Sequence, residues 1–339
     1  MSACASGLTT APVSQADTAP PPCLIINPLS FRVSRKGLAA RAAALARALG
    51  AEVIEADHPR SVDIALRSIL SRRQRHVLVL SGDGTVHAIV DALARLPEGS
   101  WKPDLLVLPG GRTNLTAADL KPQGNTLAAL ERALRQAREP HCEMVVEERH
   151  TLCVEQAPAP PRYGFFVGAA LVDDVVRECQ LFRHRGSGRL RSGHLSSLWC
   201  VLRLGLSALF GRPRLPPRPR LTVDAGPAGC MSAPTSVFIA TTLQHRTGWF
   251  NPYAARGEGV LRVTVVKAGA PGFWLGLWRI LTGRFKPGMT IENGYLSGRC
   301  PQLRISGMRG YSLDGEGFDA DPARPLSISP GPILRFLQP

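Results

Sequence analysis

Carboxylates and carboxamides set among glycines are the residues of this chain best suited to chemistry. Asp83 lies inside Ser81-Gly82-Asp83-Gly84-Thr85, and Asn114 closes Pro109-Gly110-Gly111-Arg112-Thr113-Asn114. Asp314 and Glu316 flank Gly315 in Ser312-Leu313-Asp314-Gly315-Glu316. Glycines let backbone N–H groups approach phosphate oxygens, and a helix N-terminus adds partial positive charge. A carboxylate beside phosphates is repulsive unless a divalent cation bridges them. Asp83 in such a loop therefore fits a nucleotide-phosphate site with a metal. The same string also fits a plain Gly-Asp-Gly turn in which Thr85 caps a helix, so the flanking elements matter.

Those elements alternate between strand and helix. His76–Leu80 is a short apolar run with the look of a buried parallel strand, and Val86, Ile89, Val90 and Leu93 follow at helical spacing. Upstream, Cys23–Ile26 reads as a strand ending in Asn27-Pro28. Ser34 is positioned to cap a helix that runs to Leu49 and stops at Gly50. Ala51–Ile54 and Asp104–Leu108 read as further strands, Val62–Leu70 and Leu127–Arg138 as further helices. Repeated βα units predict an open, mostly parallel sheet covered by helices, with ligands at the carboxyl ends of the strands. Asn27 and both glycine turns fall at such ends. Beyond about Glu143, short β-like runs punctuated by Gly and Pro predict a largely antiparallel second domain. They are Met144–Val146, Phe165–Val167, Arg220–Val223, Ser236–Thr241, Val260–Val266, Gln302–Ile305 and Leu326–Ile328, with helices over Asp173–Gln180 and Ser196–Leu209.

The 339 residues suffice for two domains, and 44% hydrophobic with 20% charged residues marks a globular chain. Its net charge of +15 favours anionic partners: nucleic acid, acidic lipid headgroups or polyphosphates. The eight cysteines are scattered, with no pattern of a zinc site or disulfide framework. Residues 1–22, rich in Ala, Ser, Thr and Pro, read as a flexible leader without the basic start and apolar core of a signal peptide. No stretch reads as a transmembrane span, since Leu195–Phe210 is interrupted by Arg203 and Phe273–Leu281 is short and carries Arg279.

Asn27-Pro28, Ser81–Thr85, Pro109-Gly110-Gly111 with Asn114, and Ser312–Glu316, in that order, resemble the diacylglycerol kinase catalytic family. That family includes bacterial lipid kinases and sphingosine kinases and is distantly related to NAD kinases. The resemblance runs from Cys23 to the C-terminus. It implies an α/β fold: a three-layer α/β nucleotide-binding domain (23–142), then a β-rich, sandwich-like lipid domain (143–325), with the active site in the cleft between them. A C-terminal segment (326–339) would return to the first domain. The implied reaction is ATP- and Mg²⁺-dependent transfer of phosphate to a hydroxyl of diacylglycerol or a related lipid. By this likeness Asp83 holds Mg²⁺, Asn27 and Asn114 fix ribose or phosphate, Asp314 is the general base and Glu316 orients the site or helps with metal. Ser81, Gly82, Gly84, Thr85, Gly110 and Gly111 cradle the phosphates. Three positions depart from the pattern. Arg112 replaces a threonine and either charges or crowds the nucleotide site. Leu115 replaces an aspartate, and Glu258 replaces an aspartate that would support the metal. A soluble acceptor hydroxyl such as that of NAD, or a catalytically weak nucleotide- or lipid-binding homologue, are the alternative readings.

The segment Arg177–Arg220 holds ten arginines and a single acidic residue, Glu178. It reads as a solvated basic connection or as an attachment to an anionic bilayer, each basic residue near such a surface contributing about 1 kcal/mol. Leu195, Leu198, Trp199, Leu202, Leu206 and Leu209 interleave with the charge and suit shallow insertion. No nucleic-acid-binding motif accompanies it. The expected setting is the cytoplasmic, inner face of a membrane, peripherally bound. Trp274 and Trp278, at i and i+4, fit a core or interface better than a lipid-binding stripe. His87 fits a solvated or packed helix-face residue.

Overall fold

Alternate residues of the N-terminal strands belong to different cores, which fixes a three-layer build. The computed structural model describes residues 20–112, 114–120, 124–139, 144–185, 218–244 and 251–338. In it β1 (Cys23–Ile26), β2 (Glu52–Glu55), β3 (His76–Ser81) and β4 (Asp104–Pro109) form a parallel sheet in the order β4-β3-β1-β2. Ile25, Val77, Val79, Leu105 and Val107 pack with helices α2 (Pro59–Ser71) and α3 (Asp83–Ala94). Leu24, Ile26, Leu78, Leu80, Leu106 and Leu108 face the other way, onto α1 (Leu38–Ala48) and α5 (Thr126–Arg138). Between β4 and α5 runs a short helix, α4 (Leu115–Leu120), which the sequence pattern did not signal.

Register brings three loops to one edge. Ile26 pairs with Leu80 and Ser81 with Pro109, so the turns after β1, β3 and β4 emerge side by side. Helix α1 starts at Leu38 rather than at Ser34, because residues 28–37 are spent on turns that fold over those loops. Ser30 N–H donates to the Asn27 carbonyl, Ser34 N–H to that of Ser30, and Arg32 N–H to that of Gly110. Helix α2 begins where His58 caps it: Ser61 N–H donates to His58 Nδ1 and His58 N–H to Ser61 Oγ.

The remaining strands are β5 (Val145–Glu155), β6 (Arg162–Gly164), β7 (Phe166–Ala170), β8 (Arg220–Asp224), β9 (Cys230–Thr241), β10 (Leu261–Lys267), β11 (Tyr295–Cys300), β12 (Leu303–Ser306), β13 (Gly310–Leu313), β14 (Glu316–Asp319) and β15 (Leu326–Gln338). Their pairing is antiparallel throughout, apart from one parallel contact of β15 with β4. Strand β9 belongs to two layers: up to Pro234 it pairs with β8, and from Thr235 onward with β10 and β7. Phe238, Val263, Leu296, Leu303 and Ile328 fill the core between those layers. Among the described residues two α-helices accompany these strands, α6 (Leu171–Arg185) and α7 (Phe273–Leu281).

Strand β15 ties the halves together. Leu326–Ile328 pairs with β12, and Phe336 then pairs with Leu105 of β4. Its ladder with β5 shifts register between Pro330 and Ile333, where Pro330 and Pro332 withhold N–H donors. No described helix is long and apolar enough to cross a membrane. The expected helix Ser196–Leu209, most of the Arg177–Arg220 segment and residues 1–19 of the leader lie outside the described residues.

Candidate active site

Helix α3 is the element on which the site is built. Gly82 takes the N-cap position and Asp83 is the first helical residue, so Thr85 lies inside the first turn rather than capping it. There the macrodipole favours a carboxylate, and Asp83 Oδ2 accepts the Asn114 N–H at 2.8 Å. The Asp83 charge is thus stabilised by the fold itself. Asn27, at the end of β1, donates Nδ2 to Thr85 Oγ1 at 2.8 Å and accepts Leu29 N–H on Oδ1 at 3.0 Å.

The two glycine turns are pressed against each other. A Cβ added to Gly111 would lie 2.7 Å from Gly82 Cα, and one added to Gly110 would lie 2.6 Å from Val33 Cγ2 and 2.7 Å from the Ser81 carbonyl oxygen. Asn114, in the left-handed region at φ 53°, locks this contact. Its Oδ1 accepts Gly111 N–H at 2.7 Å and its Nδ2 donates to the Gly111 carbonyl at 3.1 Å. Gly82 N–H donates to Ser30 Oγ at 2.9 Å and Gly110 N–H to the Ser81 carbonyl at 2.9 Å. Gly82, Gly110 and Gly111 therefore serve the packing of one loop on the other, with their N–H groups already engaged. The N–H groups of Gly84 and Thr85 remain: in the first turn of α3 they donate to no group among the described residues. Ser30, which the sequence pattern did not single out, is the residue that seals the Gly82 end.

Arg112 turns away from this packing onto an aromatic platform. Its guanidinium carbon lies 4.5 Å from the Phe31 ring centroid, and Arg35 lies 3.9 Å from the same ring. Two cations thus gather beside the loops. Leu115 opens helix α4.

Asp314 reaches the same helix from the far end of the chain. Leu313 pairs with Glu316, leaving Asp314-Gly315 as a two-residue hairpin loop at φ 50° and 90°. Positive φ at both positions is the hairpin geometry that Asp-Gly favours. The turn aims the carboxylate inward, where Oδ1 accepts Phe165 N–H at 3.0 Å and Phe166 N–H at 2.8 Å. Oδ2 meets His87 Nδ1 at 3.2 Å, and both side chains are nearly buried, 11% and 9% exposed for His87 and Asp314. Burial pulls the His87 pKa down. The bond to Asp314 and the charges of Asp314, Asp91 and Glu316 outweigh it, and the net shift is upward. His87 is the functional candidate that its helical spacing concealed, because its partner is 227 residues away.

Neighbouring contacts hold this geometry. Gln180 Nε2 donates to the Gly315 carbonyl at 2.7 Å, and Arg177 Nη2 to that of Phe318 at 2.7 Å. Asp91, one turn beyond His87, accepts Tyr163 N–H at 2.8 Å and so docks β6 on α3. Glu316 overhangs the first turn of the helix: a Cβ on Gly84 would lie 3.3 Å from its Oε1. Ser81 is buried at the end of β3. Glu258 stays outside the cluster in its contacts. It is exposed on the turn before β10, next to Gly257, which bridges Arg299, and it makes no hydrogen bond or ion pair among the described residues. Asp83, Glu316, Asn27, Asn114, Asp314 and His87 thus lie around the start of one helix.

No set of three or more His, Cys, Asp or Glu side chains gathers as a ready metal cage among the described residues. A Mg²⁺ ion would not need such a cage, because it keeps waters and takes one or two carboxylates plus substrate phosphates. Asp83 and Glu316 are the oxygen donors at the helix start.

Residues 21–144 match the family model of the diacylglycerol kinase catalytic domain. This stretch belongs to that family. The match covers the parallel sheet and the loops around Asn27, Asp83 and Asn114. Over nearly the whole chain, the fold resembles a solved diacylglycerol kinase from Bacillus anthracis str. Sterne. The two are 12% identical with a TM-score of 0.59, covering 94% of this chain and 97% of that one. Two further solved structures from the same organism, each 13% identical, give TM-scores of 0.60 and 0.61 with the same coverage. Among curated proteins, none matches the sequence. The diacylglycerol kinase fold therefore extends past residue 144, through the antiparallel half that carries Asp314.

Proposed function

We propose that this protein is an ATP- and Mg²⁺-dependent lipid kinase that phosphorylates a hydroxyl of diacylglycerol or a related lipid. The observation that carries the proposal is the contact between His87 and Asp314. It sets a proton acceptor one turn along the helix whose first N–H groups are open to an anion.

Phosphoryl transfer needs positioning and charge neutralisation more than covalent help. Gly84 and Thr85 N–H groups would meet a phosphate of the donor, with the helix dipole behind them. Asn27, held to Thr85, and Asn114, held to Gly111, keep the two loops at fixed spacing around it. Asp83 and Glu316 would hold Mg²⁺, which neutralises phosphate charge when bound. Asp314 takes the acceptor hydroxyl's proton in concert with His87. The two share one hydrogen bond. The Phe165 and Phe166 N–H groups keep the carboxylate aimed.

The basic segment Arg177–Arg220 belongs to the proposal as an attachment to an anionic membrane surface, at the inner face of a membrane. Its ends already have structural duties: Arg177 pairs with Asp173 at 2.8 Å and Arg218 with Asp174 at 3.5 Å. The other eight arginines of the segment are the ones left to this role.

The deciding experiment is incubation of the purified protein with labelled ATP, Mg²⁺ and a panel of lipids, beside an active relative. Label in a lipid that depends on Mg²⁺ is the expected result. Label in NAD with no lipid present would move the acceptor to a soluble hydroxyl. Nucleotide binding without turnover on any acceptor would make the protein a binding homologue.

A further inference from the structure

Helix α7 is apolar on both of its faces, and the described residues cover only one. Gly276 and Ile280 face inward. A Cβ on Gly276 would lie 3.0 Å from the Tyr295 ring, and Ile280 is 1% exposed. Phe273 and Leu277 pack beside them on Tyr253, Val266 and Tyr295. The outer face carries Trp274, Leu275 and Trp278, which are 49%, 54% and 63% exposed. A helix that is hydrophobic all round is normally enclosed. Here the three largest outward side chains stand in water.

The charge around this face identifies what covers it. From Phe273 to Lys286, the helix and the turn after it, the chain carries Arg279, Arg284 and Lys286 and no carboxylate. Arg284 and Lys286 are exposed directly after the helix, where Arg284 N–H still bonds the Arg279 carbonyl at 2.8 Å. Two copies meeting through α7 would bring these cations together with no carboxylate to offset them, which disfavours self-association. An anionic bilayer offers the opposite charge and an apolar layer beneath it. Tryptophan suits that boundary, with an apolar ring and one N–H that stays wet. Nine residues span only about 14 Å at 1.5 Å each, far short of the ~20 residues a crossing needs. The helix can lie in the interface plane but cannot span it.

We infer that α7 is a membrane-docking helix, inserting Trp274, Leu275 and Trp278 among the acyl chains of an anionic bilayer while Arg284 and Lys286 meet lipid phosphates. This inference does not depend on the protein being a kinase.

The test is co-sedimentation of the full chain, without nucleotide, with vesicles of phosphatidylcholine alone or containing one-third phosphatidylglycerol. Wild type should partition onto the phosphatidylglycerol vesicles. The Trp274→Ser/Trp278→Ser double variant should lose at least tenfold in partitioning while keeping the wild-type melting temperature. Arg284→Gln/Lys286→Gln should lose several-fold on the anionic vesicles and respond less to added salt. Equal partitioning of wild type and the tryptophan double variant would overturn the proposal. So would no vesicle binding by wild type, or a dimer in solution that Trp274→Ser/Trp278→Ser dissociates, since the face would then be covered by a second copy. Failure of the lipid-kinase assay leaves this result untouched, because no substrate enters it.

Discussion

The phosphate side of the site and its proton-accepting side are built in opposite ways. On the phosphate side, Asn27, Gly82, Asp83, Gly111 and Asn114 come from three neighbouring βα turns, and main-chain N–H groups and carboxamides hold them rigid. The one carboxylate these turns supply is Asp83, at a helix start. On the other side, a single hairpin turn from the antiparallel half places Asp314 against His87, and the geometry rests on a carboxylate whose partners His87, Phe165 and Phe166 are all distant in sequence. A local scaffold suits a ligand held the same way throughout the reaction. A joint between distant segments can bring a proton acceptor to a second substrate, but it depends on every contact that keeps the halves in register.

The largest test of this contrast is a pair of isosteric changes. Asp314→Asn keeps the volume, and its remaining oxygen can still accept the Phe165 and Phe166 N–H groups. It should lower turnover about 10²-fold or more, the scale of general-base contributions, with ATP affinity nearly unchanged. Asp83→Asn should instead raise the Mg²⁺ and ATP concentrations needed for half-saturation together, because it removes charge where the metal would sit. Turnover and ATP affinity measured for both variants decide it; near-wild-type turnover in Asp314→Asn would remove the proton-accepting role.

Next comes the packing of the two glycine turns. Gly111→Ala puts a Cβ 2.7 Å from Gly82 Cα, so one loop must move. Overpacking of this kind costs about 1–3 kcal/mol. Thermal melting should show that loss, and a nucleotide titration should show weaker binding than the lost stability alone explains. An unchanged melting temperature would mean that the loops yield freely.

These same two sides differ in how far they could be read from sequence. Strand, turn and helix are contiguous at Ser81–Thr85 and Pro109–Asn114, so hydrophobic periodicity and glycine spacing expose them. What local pattern could not show is what the glycines do: three of their N–H groups serve the fold, through Ser30, Ser81 and Asn114. Ser34 looked like a helix cap because it precedes an apolar-periodic run. Tertiary bonding of residues 28–37 over the loops delayed the helix to Leu38. His87 carries no local mark at all, since only folding brings Asp314 to it.

A smaller effect should follow from Arg112. Its guanidinium lies over the Phe31 ring beside Arg35. Arg112→Thr should therefore leave melting nearly unchanged and shift ATP affinity by no more than a few-fold. A large gain in turnover would show instead that Arg112 crowds the nucleotide, and the paired change Leu115→Asp would then be expected to add to it.

The smallest and most specific test reads the His87–Asp314 joint as a function of pH. Burial alone would lower the His87 pKa, but its bond to Asp314 and the nearby carboxylates Asp91 and Glu316 raise it above the unfolded value. A group whose folded pKa is raised stabilises the protein fully below its unfolded pKa, about 6.5 for histidine. That contribution is lost as pH rises through the folded pKa. The melting temperature of wild type should therefore exceed that of His87→Gln most clearly just below pH 6.5, and the gap should narrow toward alkaline pH. Asp314→Asn in the wild-type background should remove most of this pH dependence, because it removes the charge that holds the proton on His87. A gap that stays constant with pH, or widens as pH rises, would mean that the imidazole is neutral in the folded protein and that the two residues meet as an ordinary hydrogen bond. The halves would then be joined there by packing, and the proton acceptor would be Asp314 alone.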